Sequence, residues 1–174
     1  MCDYSLQTVP NRLAREGEDL VTHRFDSGSI GLASPVDLLL DRESKRTFWA
    51  ALKAFFGWAD TPPVPAVCIP PGTALLLKDI PKRLQRELGV TAAEIVVSTH
   101  CETAPAHRDS VRFRNGGEIL LQRLATGQRV RVLAFNRNPE DGVDDLFERS
   151  TLQLTYVLTS LDAEPVPVQS HHSR

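Results

Sequence analysis

Three side chains in this sequence combine into a chemically useful set: Cys2, His23 and Cys68. Two thiolates and an imidazole suit zinc or a similar borderline-soft transition metal, and three protein ligands leave one coordination position open for a small molecule. Cys2 has a second chemistry. With a small second residue, removal of Met1 would leave Cys2 with a free α-amine beside its thiol. Such a residue can act as a nucleophile, and His23 within hydrogen-bond reach would be its base and lower the thiol pKa. Asp3, Glu18 and Asp26 are the acids placed to orient that imidazole. The reading is a small metal-binding protein or metalloenzyme using Cys2, His23 and Cys68 on a small molecule. The alternative is an N-terminal-cysteine thiol hydrolase or transferase, with Cys2 as nucleophile and His23 as base. Each residue also has a structural role in competition. Cys68, in an apolar run before Pro70-Pro71-Gly72, fits a buried small hydrophobe, and His23 fits a core-edge histidine bonded to a backbone carbonyl.

Two further groups of residues carry chemistry. His100, Cys101, His107 and Asp109 hold ligand-type side chains close together. Adjacent residues of a strand face opposite ways, so His100 and Cys101 can share a site only where a strand ends. Thr103-Ala104-Pro105 marks such an end. The second group is electrostatic. Residues 105–137 contain Arg108, Arg112, Arg114, Arg123, Arg129, Arg131 and Arg137 against Asp109 and Glu118. Arg112 and Arg114 alternate with Val111 and Phe113, and Arg129 and Arg131 with Val130 and Val132, which puts arginines on one face of a sheet. That face would suit an anion, and defines a third reading, a non-catalytic binding module. No aromatic residues interleave with these arginines, so the stacking platform for single-stranded nucleic acid is missing. Solvent-facing arginines on strands also serve simply to keep a sheet soluble.

The whole chain bounds these options. Its 174 residues fit one domain with a sizeable core, and a formal net charge of −2 argues against nucleic-acid binding over the whole surface. No apolar run is long enough to span a membrane. The opening Met1-Cys2-Asp3-Tyr4-Ser5 has neither the basic nor the apolar region of a signal peptide. Three cysteines without a secretion signal then imply reduced thiols and a cytoplasmic location.

Periodicity supplies the elements that must position the site. Leu20 to Phe25 and Ser29 to Ala33 read as a hairpin around Asp26-Ser27-Gly28, with Val21, His23 and Phe25 on one face. Ser34-Pro35-Val36-Asp37 starts a helix, Ser as N-cap and Pro at the first position. Its periodicity continues, with a break near Arg42–Lys45, to Trp58; Phe48, Leu52, Phe55 and Phe56 form a broad apolar stripe with Trp49 at its edge, which packs on the core or meets a protein partner. Thr61-Pro62-Pro63-Val64-Pro65 is a stiff connection. Ala66 to Ile69, Thr73 to Leu77 and Glu94 to Thr99 read as strands. A short helix with Ile80, Leu84 and Leu88 on one face stops at Gly89. Ser110 to Arg114, Glu118 to Leu124 and Gln128 to Phe135 read as a three-strand meander. Asp141 to Glu148 has room for a helical turn, and Leu152 to Leu158 alternates as a last strand. The expected fold is α+β: a mostly antiparallel, small-barrel-like sheet with one long aromatic-rich helix and one short helix. Residues 1–161 form the single domain, and 162–174 a disordered tail.

Two resemblances follow from particular residues. Met1-Cys2 resembles the opening of class II glutamine amidotransferases. Asp3 replaces the glycine of that family, and its downstream glutamine-site motifs are missing, so membership is not assigned. The chain is also similar, over about the first 135 residues, to small bacterial proteins that open Met-Cys-Asp-Tyr-Ser. The shared stretches are His23-Arg24-Phe25, Gly28-Ser29, Cys68-Ile69-Pro70-Pro71-Gly72 and Arg108-Asp109. That resemblance implies kinship and no particular activity.

Overall fold

The computed structural model describes residues 9–46, 63–104, 107–136, 145, 147–152 and 155. Seven strands form one antiparallel sheet: β2 (Asp19–Arg24), β3 (Ile30–Ala33), β5 (Ala74–Lys78), β6 (Glu94–His100), β7 (Asp109–Phe113), β8 (Glu118–Leu120) and β9 (Arg129–Ala134). Their order across the sheet is β3-β2-β9-β5-β6-β7-β8. A separate parallel pair joins β1 (Asn11–Leu13) to β4 (Ala66–Cys68), with Leu13 opposite Cys68.

Alternation along each strand divides the sheet into two faces. The inner face collects Leu20, Leu32, Leu75, Leu77, Val96, Val111, Phe113, Ile119, Val130 and Val132 into one core. Val67 from β4, Ile80, Leu84 from helix α2 (Lys82–Leu88) and Leu121 close over it. The opposite face carries Val21, His23, Arg129, Arg131, Arg112 and Ser110. There, Val97 packs with Phe147 from a helical segment at residues 147–152. Helix α1 (Pro35–Arg46) begins as its sequence requires: the Val36 amide donates to Ser34 Oγ at 3.3 Å. Leu38 turns inward to a second small cluster, Phe25, Ala33 and Ala66, while Val36, Leu39 and Leu40 stay exposed. Helix α2 ends at Gly89, whose φ of 65° supplies the left-handed stop.

The barrel-like α+β expectation is corrected: the fold is mostly sheet, the sheet is open, and the helices are short. Among the described residues there is no long aromatic-rich helix. Phe48, Trp49, Leu52, Phe55 and Phe56, and with them the expected partner surface, lie outside those residues. The meander is also corrected. β7 and β8 do form a hairpin, but β9 leaves β8 and enters the sheet between β2 and β5. The cause is local. After only three residues β8 gives way to a single 3₁₀ turn at Leu121–Arg123, which buries Leu121 and redirects the chain. The Leu152–Leu158 strand is overturned at its start, because residues 151, 152 and 155 are helical.

The open edge is managed by one side chain. Ile30, on edge strand β3, donates its amide to Gln122 Oε1 at 3.1 Å, and its carbonyl accepts from Gln122 Nε2 at 3.1 Å. The glutamine amide thus replaces a peptide unit of a missing neighbouring strand. This contact ties the turn after β8 to β3, the opposite edge. The strand ladder nevertheless does not close into a barrel.

Candidate functional site

The structure puts two of the three thiol-and-imidazole residues beside the same small cluster. His23 meets the Phe25 ring edge-on, centroids 4.9 Å apart with an interplanar angle of 87°. Phe25 packs with Ala33 and Ala66. Cys68 lies two residues beyond Ala66 on β4, and Val67 between them points into the main core, so alternation turns Cys68 to the side of Ala66. β4 itself is held on both sides of the cysteine: the Ala14 amide donates to the Cys68 carbonyl at 2.9 Å, and the Ala66 amide to the Pro10 carbonyl at 2.8 Å. Cys68 is half-buried, not enclosed in the core as a hydrophobe would be.

The oxidation state differs from the sequence expectation. Cys68 is disulfide-bonded, whereas Cys101 is a free thiol, so the expectation of three reduced thiols is corrected at Cys68. In that state its sulfur is not a thiolate and holds no metal. Among the described residues no group of three or more His, Cys, Asp and Glu side chains is placed to hold a metal ion. Cys2, the remaining corner of the expected set, lies outside the described residues.

The second group sits at the loop end of the β6–β7 hairpin, and β6 runs to His100, one residue beyond the Glu94–Thr99 reading. His100 pairs with Asp109 across the hairpin, Nδ1 to Oδ1 at 3.6 Å, with the Asp109 side chain buried. The Cys101 thiol instead meets Thr103 Oγ1 at 3.3 Å. His107 has a φ of 54°, in the left-handed region. These residues share a loop and do not converge on one metal-binding point.

Three of the four arginines, Arg112, Arg129 and Arg131, share a sheet face, and each of these comes with its own acid. Arg112 Nη2 lies 3.4 Å from Glu118 Oε2, Arg131 Nη1 lies 3.3 Å from Asp19 Oδ2, and Arg129 is hydrogen-bonded to Asp79. Asp19 is shared with Lys78 Nζ at 3.5 Å. Arg114 is exposed in the β7–β8 turn. Glu118 is the best-embedded of these acids. The Ser110 hydroxyl, then Thr99 and Arg112, donate to it and hold its carboxyl below the usual 4.5 despite partial burial. Asp79 is lowered by its hydrogen bond from Arg129, and Glu18 by its hydrogen bond from Arg12. The acids neutralising this face come from β2, the β5–α2 turn and β8, and only Glu118 lies in the arginine-rich stretch itself.

One further place went unread in the sequence. A groove of about 350 Å³ runs between α2 and the chain just after β8, lined by Pro81, Arg83, Leu84, Glu87, Arg123 and Ala125. The signal available was the basic bias of Lys82-Arg83-Leu84-Gln85-Arg86-Glu87, with Arg83 and Glu87 at i and i+4 on one helix face. Nothing in sequence placed Arg123 beside it.

Against known proteins, the chain matches no family model, no curated protein and no solved structure.

Proposed function

We propose that the protein is a thiol-dependent metal-binding protein whose centre is Cys2, His23 and Cys68, switched by oxidation of its two cysteines. The observation that carries this reading is the disulfide at Cys68, on the side of β4 that adjoins the cluster flanked by His23. The chain has three cysteines and Cys101 is free, so within one chain Cys2 is the partner left for Cys68. A sulfur pair close enough to bond is also a pair close enough to chelate. Reduced, Cys2 and Cys68 offer two thiolates, and His23 adds an imidazole; that set suits zinc with one position open. Oxidised, the pair gives up both thiolates and the site loses its metal.

The redox step balances through thiol–disulfide exchange. A thiolate of the pair attacks a small-molecule disulfide, releasing one thiol; the second cysteine displaces the other half from the mixed disulfide and closes the protein disulfide.

The test is a zinc competition assay with a chromophoric chelator on the full chain, run reduced and after treatment with oxidised glutathione. Expected are one zinc bound per reduced chain, weaker binding in His23→Ala, and none in the oxidised protein. Zinc binding that survives oxidation, or that Cys68→Ser leaves unchanged, overturns the proposal.

A further inference from the structure

The arginines on the sheet face and those at the groove differ in their charge balance. On the face, Arg112, Arg129 and Arg131 each meet a carboxylate. At the groove, Arg83 from α2 and Arg123 from the 3₁₀ turn stand with one carboxylate, Glu87, and Glu87 is hydrogen-bonded to Arg123. Among the described residues no carboxylate pairs with Arg83. Lys82 and Arg86 on the same helix add positive charge. In a chain of net charge −2, this is a local excess of guanidinium beside a concave surface. The rest of the lining is apolar: Pro81, Leu84 and Ala125. The groove's volume falls within the range of small-molecule sites.

We infer that this groove is an anion site for a phosphate monoester carrying an apolar or aromatic group. A phosphate dianion offers enough acceptors for two planar guanidinium forks, and bidentate pairs of this kind are the strong, charge-assisted hydrogen bonds. The Arg123–Glu87 pair is the element the ligand displaces. Both partners are substantially exposed, with side-chain exposures of 52% and 39%. A surface pair of that sort contributes little, so exchanging a single carboxylate for a dianion shared with Arg83 favours the ligand. The apolar part of the ligand lies over Leu84, Ala125 and Pro81. This site is independent of the cysteine centre and stands whether or not that centre binds metal.

The test is isothermal titration of the full chain with phenyl phosphate, and with inorganic phosphate for comparison. Phenyl phosphate is expected to bind saturably and more tightly than inorganic phosphate. Arg83→Gln and Arg123→Gln are each expected to weaken it about tenfold or more, the loss of one charge-assisted pair. Glu87→Gln is expected to tighten it severalfold, because Arg123 is then uncommitted. Unchanged far-UV circular dichroism in all three variants shows that they fold. The inference is overturned if phenyl phosphate does not saturate, if either arginine variant binds like wild type, or if Glu87→Gln weakens binding.

Discussion

Gln122 is the residue whose replacement tests the sheet architecture most sharply. Its amide both accepts from the Ile30 N–H and donates to the Ile30 carbonyl, at 3.1 Å each, and Ile30 is 5% exposed. Gln122→Ala removes two hydrogen bonds worth about 1 kcal/mol each and leaves a buried backbone donor and acceptor without them, so a loss of about 2–4 kcal/mol is expected. Gln122→Glu is more informative because it breaks only half of the exchange. A carboxylate still accepts from the Ile30 amide, but its second oxygen faces the Ile30 carbonyl with no proton between them. Protonation restores the donor. The folded state therefore favours the neutral acid, and the introduced carboxyl has its folded pKa raised above the unfolded value of about 4.3. Its contribution is fully present below the unfolded pKa and is lost as pH rises through the folded one. The assay is urea unfolding of both variants and wild type at about pH 4 and pH 8, each variant referred to wild type at the same pH. Gln122→Glu should be close to wild type at the lower pH and approach or exceed the Ala variant's loss at the higher. A Glu variant penalised less at pH 8 than at pH 4, or an Ala variant within about 0.5 kcal/mol of wild type, refutes the edge-capping role.

Three other expectations rest on particular contacts. Thr22 Oγ1 donates to the Ala125 carbonyl and accepts from the Gln128 amide at 2.9 Å in a fully buried setting, so Thr22→Val should cost about 2–3 kcal/mol by chemical denaturation. Gly72 has a φ of 80°, and an added Cβ would stand 3.1 Å from Asn136 Cβ; Gly72→Ala should lower stability by about 1–3 kcal/mol, read as a fall in Tm. Glu118 is held below its ordinary 4.5, chiefly by the Ser110 hydroxyl, so its stabilisation is present above that value and lost as pH falls through the lowered one. Glu118→Gln should therefore be about 1 kcal/mol less stable than wild type at pH 7, with the gap shrinking toward pH 3 in a pH series of unfolding midpoints.

Local signals in the sequence located the elements well. The Asp26-Ser27-Gly28 turn, the Ser34-Pro35 helix start and the Gly89 stop each depend on the conformational preference of one or two residues, and each appears where those residues stand. Strand pairing was less legible. β9 has the same alternation whether it lies beside β8 or between β2 and β5, because a period of two fixes the face and not the neighbour. The deciding feature was the turn at Leu121–Arg123, where a run read as one strand leaves the sheet after Leu120. The barrel-like expectation followed from inward-facing apolar residues on every strand, and Gln122 gave no sign that a side chain would stand in for the closing ladder. At the candidate site, alternation correctly put His23 on the face of Phe25. It could not put Cys68 beside that cluster, since alternation fixes the face of β4 but not that Ala66 packs on Ala33 and Phe25, nor that β4 pairs in parallel with β1. The arginine face was legible, but its neutralisation was not: Asp19 and Asp79 are distant in sequence from the arginines they meet.

The most direct measurement on the cysteine centre is differential alkylation of the full chain after mild oxidation with oxidised glutathione, followed by mass mapping of the peptides without reductant. The expected map joins the Cys2 and Cys68 peptides through a disulfide and finds Cys101 carrying the alkyl label. Cys101 in the bond, or Cys2 and Cys68 both alkylated without prior reduction, would contradict the account.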